Sequence, residues 1–306
     1  MPAENETAGR SARDRWFTSA SQVSGLLRGV GYLTDEHVCG VLCLADQLGK
    51  PVLVEGPTGT GKTELAKSTA AMTGARLIRL QCYEGLDEGK ALYEWNYQKQ
   101  LLRIQADNVG TVRRAGNWGD LESGIFTEEF LLPRPLLDAI RAPEPVVLLI
   151  DEVDRLDIEA EALLLEILSD YQVSIPEIGT VSGRQIPMVF LTSNSSRDLS
   201  EALRRRCLYL YIDYPPPERE REIVRTRVPG ISEHLAEQIA GIVGSLRQLD
   251  LRQQPSVAQT LEWARTLLSL GASDLDAGLA ADSLRVLLSY ESDIEVATAR
   301  LSAGLG

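Results

Sequence analysis

Apolar positions along the chain follow two regimes. Between Val52 and Ile212, short unbroken apolar runs recur at Val52–Val54, Leu77–Cys82, Val146–Ile150, Val189–Thr192 and Leu208–Ile212, separated by stretches with helical spacing. Runs this short and this apolar read as strands buried on both faces. Their alternation with helices predicts a mainly parallel five-stranded sheet covered by helices on both faces, an α/β fold. Tyr214-Pro215-Pro216-Pro217 then interrupts both periods. Beyond it Glu218–Arg227, Glu233–Ser245, Val257–Leu270 and Asp274–Leu288 carry helical spacing and no strand, which predicts a small all-α domain. Upstream, Thr34 suits an N-cap for a helix through Val38, Val41, Leu42, Leu44 and Ala45 to Gly49. Residues 1–20 mix Ala, Ser, Thr, Glu and Arg without period and read as a disordered tail. The expected organisation is a tail over 1–20, an α/β core over 21–213 and a helical domain over 214–306.

Composition changes this picture little. The chain has 306 residues, 44% hydrophobic and 25% charged, as in water-soluble globular proteins. The longest apolar runs are far too short to cross a bilayer, and no export signal is visible, so a cytoplasmic protein without membrane insertion is expected. Four cysteines without a C-x-x-C pair, and two distant histidines, argue for a reducing compartment and against structural zinc. Cys39 and Cys43 share a helical face, which reads as two buried side chains in an apolar helix. A net charge of −13 disfavours tracking along nucleic acid.

Chemistry is concentrated in one string. Gly56-Pro57-Thr58-Gly59-Thr60-Gly61-Lys62-Thr63 follows the first apolar run and precedes the helix-forming Glu64-Leu65-Ala66-Lys67. Strand, glycine-rich loop and helix in that order form a phosphate-binding loop, whose backbone N–H groups and helix N-terminus converge on phosphates. Lys62 is placed to reach the β- and γ-phosphates of a nucleotide triphosphate, and the Thr63 hydroxyl to hold Mg2+. The run Val146–Ile150 ends in Asp151 and Glu152, where open α/β sheets place their ligands. Asp151 suits Mg2+ through water, and Glu152 suits activation of an attacking water. The next run delivers Asn194, whose amide could hold both that water and the γ-phosphate; the same residues also read as an ordinary polar turn. Arg204, Arg205 and Arg206 end a helix before the fifth run, one more than a helix dipole needs. An arginine finger for a neighbouring subunit's γ-phosphate would use such a residue.

Together these pieces resemble the AAA+ ATPases, and in detail the MoxR family. The resemblance spans residue 21 to about 300 and rests on EGPTGTGKTELAK from Glu55, RLQCYEGLD from Arg79, LLIDEVDRL from Leu148 and the stretch from Leu165 through IPEIGTV to FLTSN. RRRCLYLYIDYP from Arg204 looks most like the branch associated with maturation of carbon monoxide dehydrogenases and related molybdenum hydroxylases. The resemblance implies a homo-oligomeric ring, usually a hexamer, with Arg206 as the finger. It further implies a von Willebrand A domain partner and a metalloenzyme client remodelled at the expense of ATP. One departure is Val257, where MoxR-like lids often carry a second sensor arginine. Client contact is expected from two insertions, Tyr83–Gly124, with Tyr93, Trp95, Tyr97 and Trp118, and a hairpin within Ser169–Pro187. Tyr93 and Trp95 read equally well as core residues. The glycine-rich 110–124 reads as a mobile loop.

Two other readings share the phosphate loop. A monomeric kinase or nucleotide switch leaves Glu152 and the arginine triplet unexplained. A DNA-remodelling AAA+ ATPase shares every catalytic part but sits poorly with the acidic balance.

Overall fold

The computed structural model describes residues 15–110, 125–183 and 185–302. Most of the expected tail, Trp118 and nearly all of the expected mobile loop lie outside these residues. The strands, in chain order, are β1 (Val52–Glu55), β2 (Arg76–Gln81), β3 (Tyr93–Trp95), β4 (Leu131–Pro133), β5 (Val146–Asp151), β6 (Gln172–Ile175), β7 (Gly179–Ser182), β8 (Met188–Ser193) and β9 (Leu208–Tyr211). All five apolar runs enter one sheet, in the order β2-β5-β8-β1-β9. The β2–β5 and β5–β8 pairs are parallel, with Gln81 opposite Asp151 and Leu149 opposite Phe190. Every residue of β5 and β8 is buried, because helices cover both faces and no alternation with polar residues is required.

The chain divides into two compact units. The first comprises 1–16, 44–53 and 73–209. Its core joins Leu148, Ile150, Val189 and Leu191 of the sheet to Leu136, Leu137 and Ile140 of the helix Pro135–Arg141, and to Leu164, Ile167 and Leu168 of the helix Ile158–Asp170. Full burial of each such aliphatic side chain contributes about 1.5–3 kcal/mol before conformational entropy is subtracted. Two antiparallel ribbons stand beside the main sheet. One pairs β3 with β4, and the other, β6 with β7, is the expected hairpin. Trp95 is a core residue, edge-on to Phe126 at 5.1 Å and to Tyr93 at 6.2 Å. Tyr97 is exposed.

The second unit comprises 17–43, 54–72 and 210–306. Trp263 is fully buried at its centre among Leu235, Ile239, Leu267 and Leu284, and its indole N–H donates to the Ser283 hydroxyl at 2.8 Å. Arg247 and Glu220 form a buried ion pair, completed by the Thr260 hydroxyl on Glu220 Oε1 at 2.9 Å. Four sequence expectations shift. Asp35 replaces Thr34 as the cap of the helix Glu36–Leu48, its carboxylate accepting the Val38 N–H at 3.0 Å. Pro217 begins the helix Pro217–Arg227, since a first-turn proline lacks only an N–H that would go unpaired. The segment 274–288 is helical over Ala277–Ser283 and Leu284–Val286 only, because Asp276 caps the Leu279 N–H. A further helix, Glu291–Ser302, follows.

Candidate nucleotide site

The phosphate loop lies in the second unit, between β1 and the helix Lys62–Thr73. Two of its glycines are structural necessities. Gly56 has φ +149°, and a Cβ there would meet the Ile212 carbonyl oxygen at 2.0 Å; Gly59 has φ +80°, and a Cβ would meet Ser256 Cβ at 2.1 Å. Lys62 is buried and its ammonium donates to the carbonyls of Gly56 (2.8 Å) and Pro57 (2.7 Å). The Thr60 hydroxyl donates to the Pro57 carbonyl at 3.1 Å, and Thr63 lies in the first turn of the helix. Backbone around the loop is held from several sides: Tyr214 donates to Thr58 O, the Val257 N–H to Gly59 O, and Ile212 N–H to Glu55 O.

The acidic cluster lies in the first unit, at the carboxyl ends of β5 and β8. Asp151 is buried and accepts from the Thr192 hydroxyl at 2.6 Å and from Arg79 Nη2 and Nε at 2.6 and 3.0 Å. The same Thr192 oxygen accepts the Glu152 N–H at 2.9 Å. Glu152 adopts φ 60°, ψ 50°, a left-handed conformation that costs a side-chain-bearing residue about 1–2 kcal/mol. Its carboxylate accepts from Gln81 Nε2 at 3.1 Å and Arg155 Nη1 at 3.0 Å. A strained glutamate held through its N–H and by two donors on its carboxylate, next to a buried aspartate, suits an oriented base beside a metal-ordering acid.

Asn194 follows β8, and its backbone N–H donates to Asp154 Oδ2 at 3.2 Å. Asp154 Oδ2 also takes the Ser196 N–H (3.0 Å) and hydroxyl (2.6 Å). Burial alone would raise this carboxyl, but those donors outweigh it and hold its pKa below the ordinary range. The turn carrying Asn194 is therefore anchored by a carboxylate that stays ionised. Arg206 is the last residue of the helix Glu201–Arg206; it is exposed, donating to Ser169 Oγ at 2.7 Å and to the Ala202 carbonyl at 3.0 Å. Arg205 pairs with Glu201 at 2.9 Å. Sequence reading missed Thr192, Arg79 and Gln81 as partners of Asp151 and Glu152, and Asp154 as the anchor of the turn carrying Asn194. The only available signal was polar residues breaking apolar strands, with Gln81 opposite Asp151 and Arg79 two residues earlier, opposite Leu149.

Residues 51–207, more than half of the chain, match the model of the AAA domain, dynein-related subfamily. The chain belongs to this family of AAA ATPases. The chain is similar to midasin of Dictyostelium discoideum, 30% identical over 58% of this chain and 3% of midasin. It is similar to the denitrification regulatory protein NirQ of Stutzerimonas stutzeri, 26% identical over 70% of each chain. It is likewise similar to the gas vesicle ATPase GvpN of Haloferax mediterranei, 26% identical over 66% of this chain and 57% of GvpN. The motif resemblance to MoxR-type AAA+ ATPases is borne out. No helix among the described residues is long and apolar enough to cross a membrane.

The AAA loop geometry gives a sharp expectation for Gly59→Ala. The strained conformation costs about 1–3 kcal/mol, and the contact with Ser256 adds to it. Gly85 has φ +78° with nothing within 4 Å of its position, so Gly85→Ala carries the conformational cost alone. Thermal unfolding should show Gly59→Ala the less stable of the two; equal losses would mean that Ser256 yields freely.

Proposed function

We propose that this chain binds ATP with Mg2+ and hydrolyses it, and that a homo-oligomeric ring, usually a hexamer in MoxR-like proteins, couples hydrolysis to remodelling a client protein. The observation that carries the reading is Glu152, held left-handed beside a buried aspartate at the end of a central strand. A scaffold that merely retained nucleotide would have no use for that strain.

The residues present fit a magnesium triphosphate. A loop with no room for side chains at Gly56 and Gly59, and a buried ammonium at Lys62, supply donors and positive charge. Gly56, Pro57, Thr58, Gly59, Thr60, Gly61 and Lys62 would hold the phosphates, Thr63 and Asp151 the metal. Bound magnesium would neutralise developing phosphate charge. Glu152 would accept the proton of the attacking water, Asn194 orient that water, and Arg206 reach a neighbour's γ-phosphate.

The client is proposed to be a metalloenzyme of the molybdenum hydroxylase or carbon monoxide dehydrogenase type, engaged with a von Willebrand A domain partner in the cytoplasm. Support comes from the MoxR-like motifs and from similarity to a protein named as a denitrification regulator. The deciding experiment is ATP turnover per protomer across about a hundredfold range of protein concentration, since a finger supplied in trans makes the rate depend on assembly. A steep rise is expected. A flat, non-zero line would transfer the reading to a self-sufficient kinase or switch, and stimulation by DNA would revive the DNA-remodelling alternative.

A further inference from the structure

Three carbonyls of the phosphate loop are hydrogen-bonded by groups that do not belong to the loop. The Tyr214 phenol donates to Thr58 O at 3.1 Å, the Val257 N–H to Gly59 O at 3.0 Å, and the Tyr32 phenol more weakly to Gly61 O at 3.4 Å. A trans peptide is planar, with its C=O and the following N–H pointing in opposite directions. Whatever fixes the Thr58 carbonyl therefore also fixes where the Gly59 N–H points, and Val257 does the same for the Thr60 N–H. In a loop that works by aiming N–H groups at phosphates, these outside donors set the aim.

Tyr214 differs from the other two in what stands behind it. The Arg247 guanidinium lies 4.4 Å from the centre of the Tyr214 ring. Its Nε donates to the Pro255 carbonyl at 2.9 Å, one residue before Ser256, whose Cβ lies 2.1 Å from where a Gly59 Cβ would fall. Its Nη atoms grip Glu220, which also holds the Thr260 hydroxyl. One buried arginine thus secures both the tyrosine that holds Thr58 O and the helix start that holds Gly59 O. Burial raises the Tyr214 phenol above its ordinary pKa.

We propose that Tyr214 is a positioning residue of the phosphate loop: it orients the Thr58–Gly59 peptide for phosphate and ties that orientation, through Arg247, to the buried Glu220–Thr260 cluster among the helices. This rests on the nucleotide reading above and adds a residue to it. It also accounts for Val257 at the place of a second sensor arginine, since the backbone there already holds the loop and Arg247 secures the approach.

Tyr214→Phe tests the idea by removing one hydroxyl while keeping the ring under Arg247. Changing Arg247 would break a buried ion pair and endanger the fold, so it is a poor test. In the full chain, ATP and ADP should bind about three- to tenfold more weakly to Tyr214→Phe, the loss of one hydrogen bond. Its Tm without nucleotide should stay unchanged, and hydrogen exchange at the Gly59 amide should quicken. Unchanged ATP affinity, or weaker binding accompanied by a fall in Tm and faster exchange throughout the helices, would overturn the proposal, the second by making Tyr214 a packing residue. Failure of the unmodified chain to bind ATP would overturn the nucleotide reading itself, an outcome distinct from equal binding by both proteins.

Discussion

Glu152→Gln is expected to bind ATP as the unmodified chain does and to turn it over about two to four orders of magnitude more slowly, the range typical of a lost general base. The substitution keeps the shape of the side chain and its oxygen acceptor for Gln81 and Arg155, and it leaves the Thr192 contact to the backbone N–H untouched. The left-handed backbone persists, because Gln carries the same conformational penalty as Glu at φ 60°. What disappears is the capacity to take a proton. Titration calorimetry with ATP, alongside phosphate release, separates the two effects. Turnover within about threefold of the unmodified chain would move the general base elsewhere. Loss of ATP binding would instead mean that the Glu152 charge supports the nucleotide directly.

This prediction could be made largely from sequence, because the groups it needs are contiguous. Gly56–Thr63 declares itself through spacing alone, and Asp151-Glu152 through its place after an unbroken apolar strand. The sheet was legible for the same reason: five apolar runs carry the signal of strands buried on both faces, and all five joined one sheet. Pairings across long sequence separations stayed hidden. Nothing local marks Arg79 as the partner of Asp151, because that contact exists only once β2 and β5 are in register. The left-handed Glu152 is likewise set by Thr192, forty residues away, which accepts its N–H. Competing local signals account for the smaller misses. Thr34 and Asp35 both suit an N-cap, and the carboxylate takes the role. Asp276 is an internal cap that shortens what apolar spacing alone reads as one long helix.

Arg206→Ala should bind ATP normally yet lose about three to five orders of magnitude in turnover, the effect of removing an arginine finger from nucleotide hydrolases that use one. Within its own chain Arg206 is available for such work. It is exposed, and among the described residues it donates to a neutral hydroxyl on Ser169 and a carbonyl on Ala202. Contacts of that kind contribute about 0.5–1.5 kcal/mol each, and far less than a buried ion pair they would hinder reorientation toward a developing γ-phosphate charge. Arg205, by contrast, already faces the Glu201 carboxylate one helical turn earlier. The decisive version of the experiment mixes Arg206→Ala with Glu152→Gln, two proteins that are each inactive alone. If the finger acts between subunits, some interfaces of a mixed ring join an intact Glu152 to a neighbour's intact Arg206, and activity returns. If Arg206 serves its own site, no mixture recovers turnover, because every protomer still carries one lesion. Normal turnover in Arg206→Ala alone would remove the role from this residue, and the same test would then fall to Arg205, whose ion pair must first be broken.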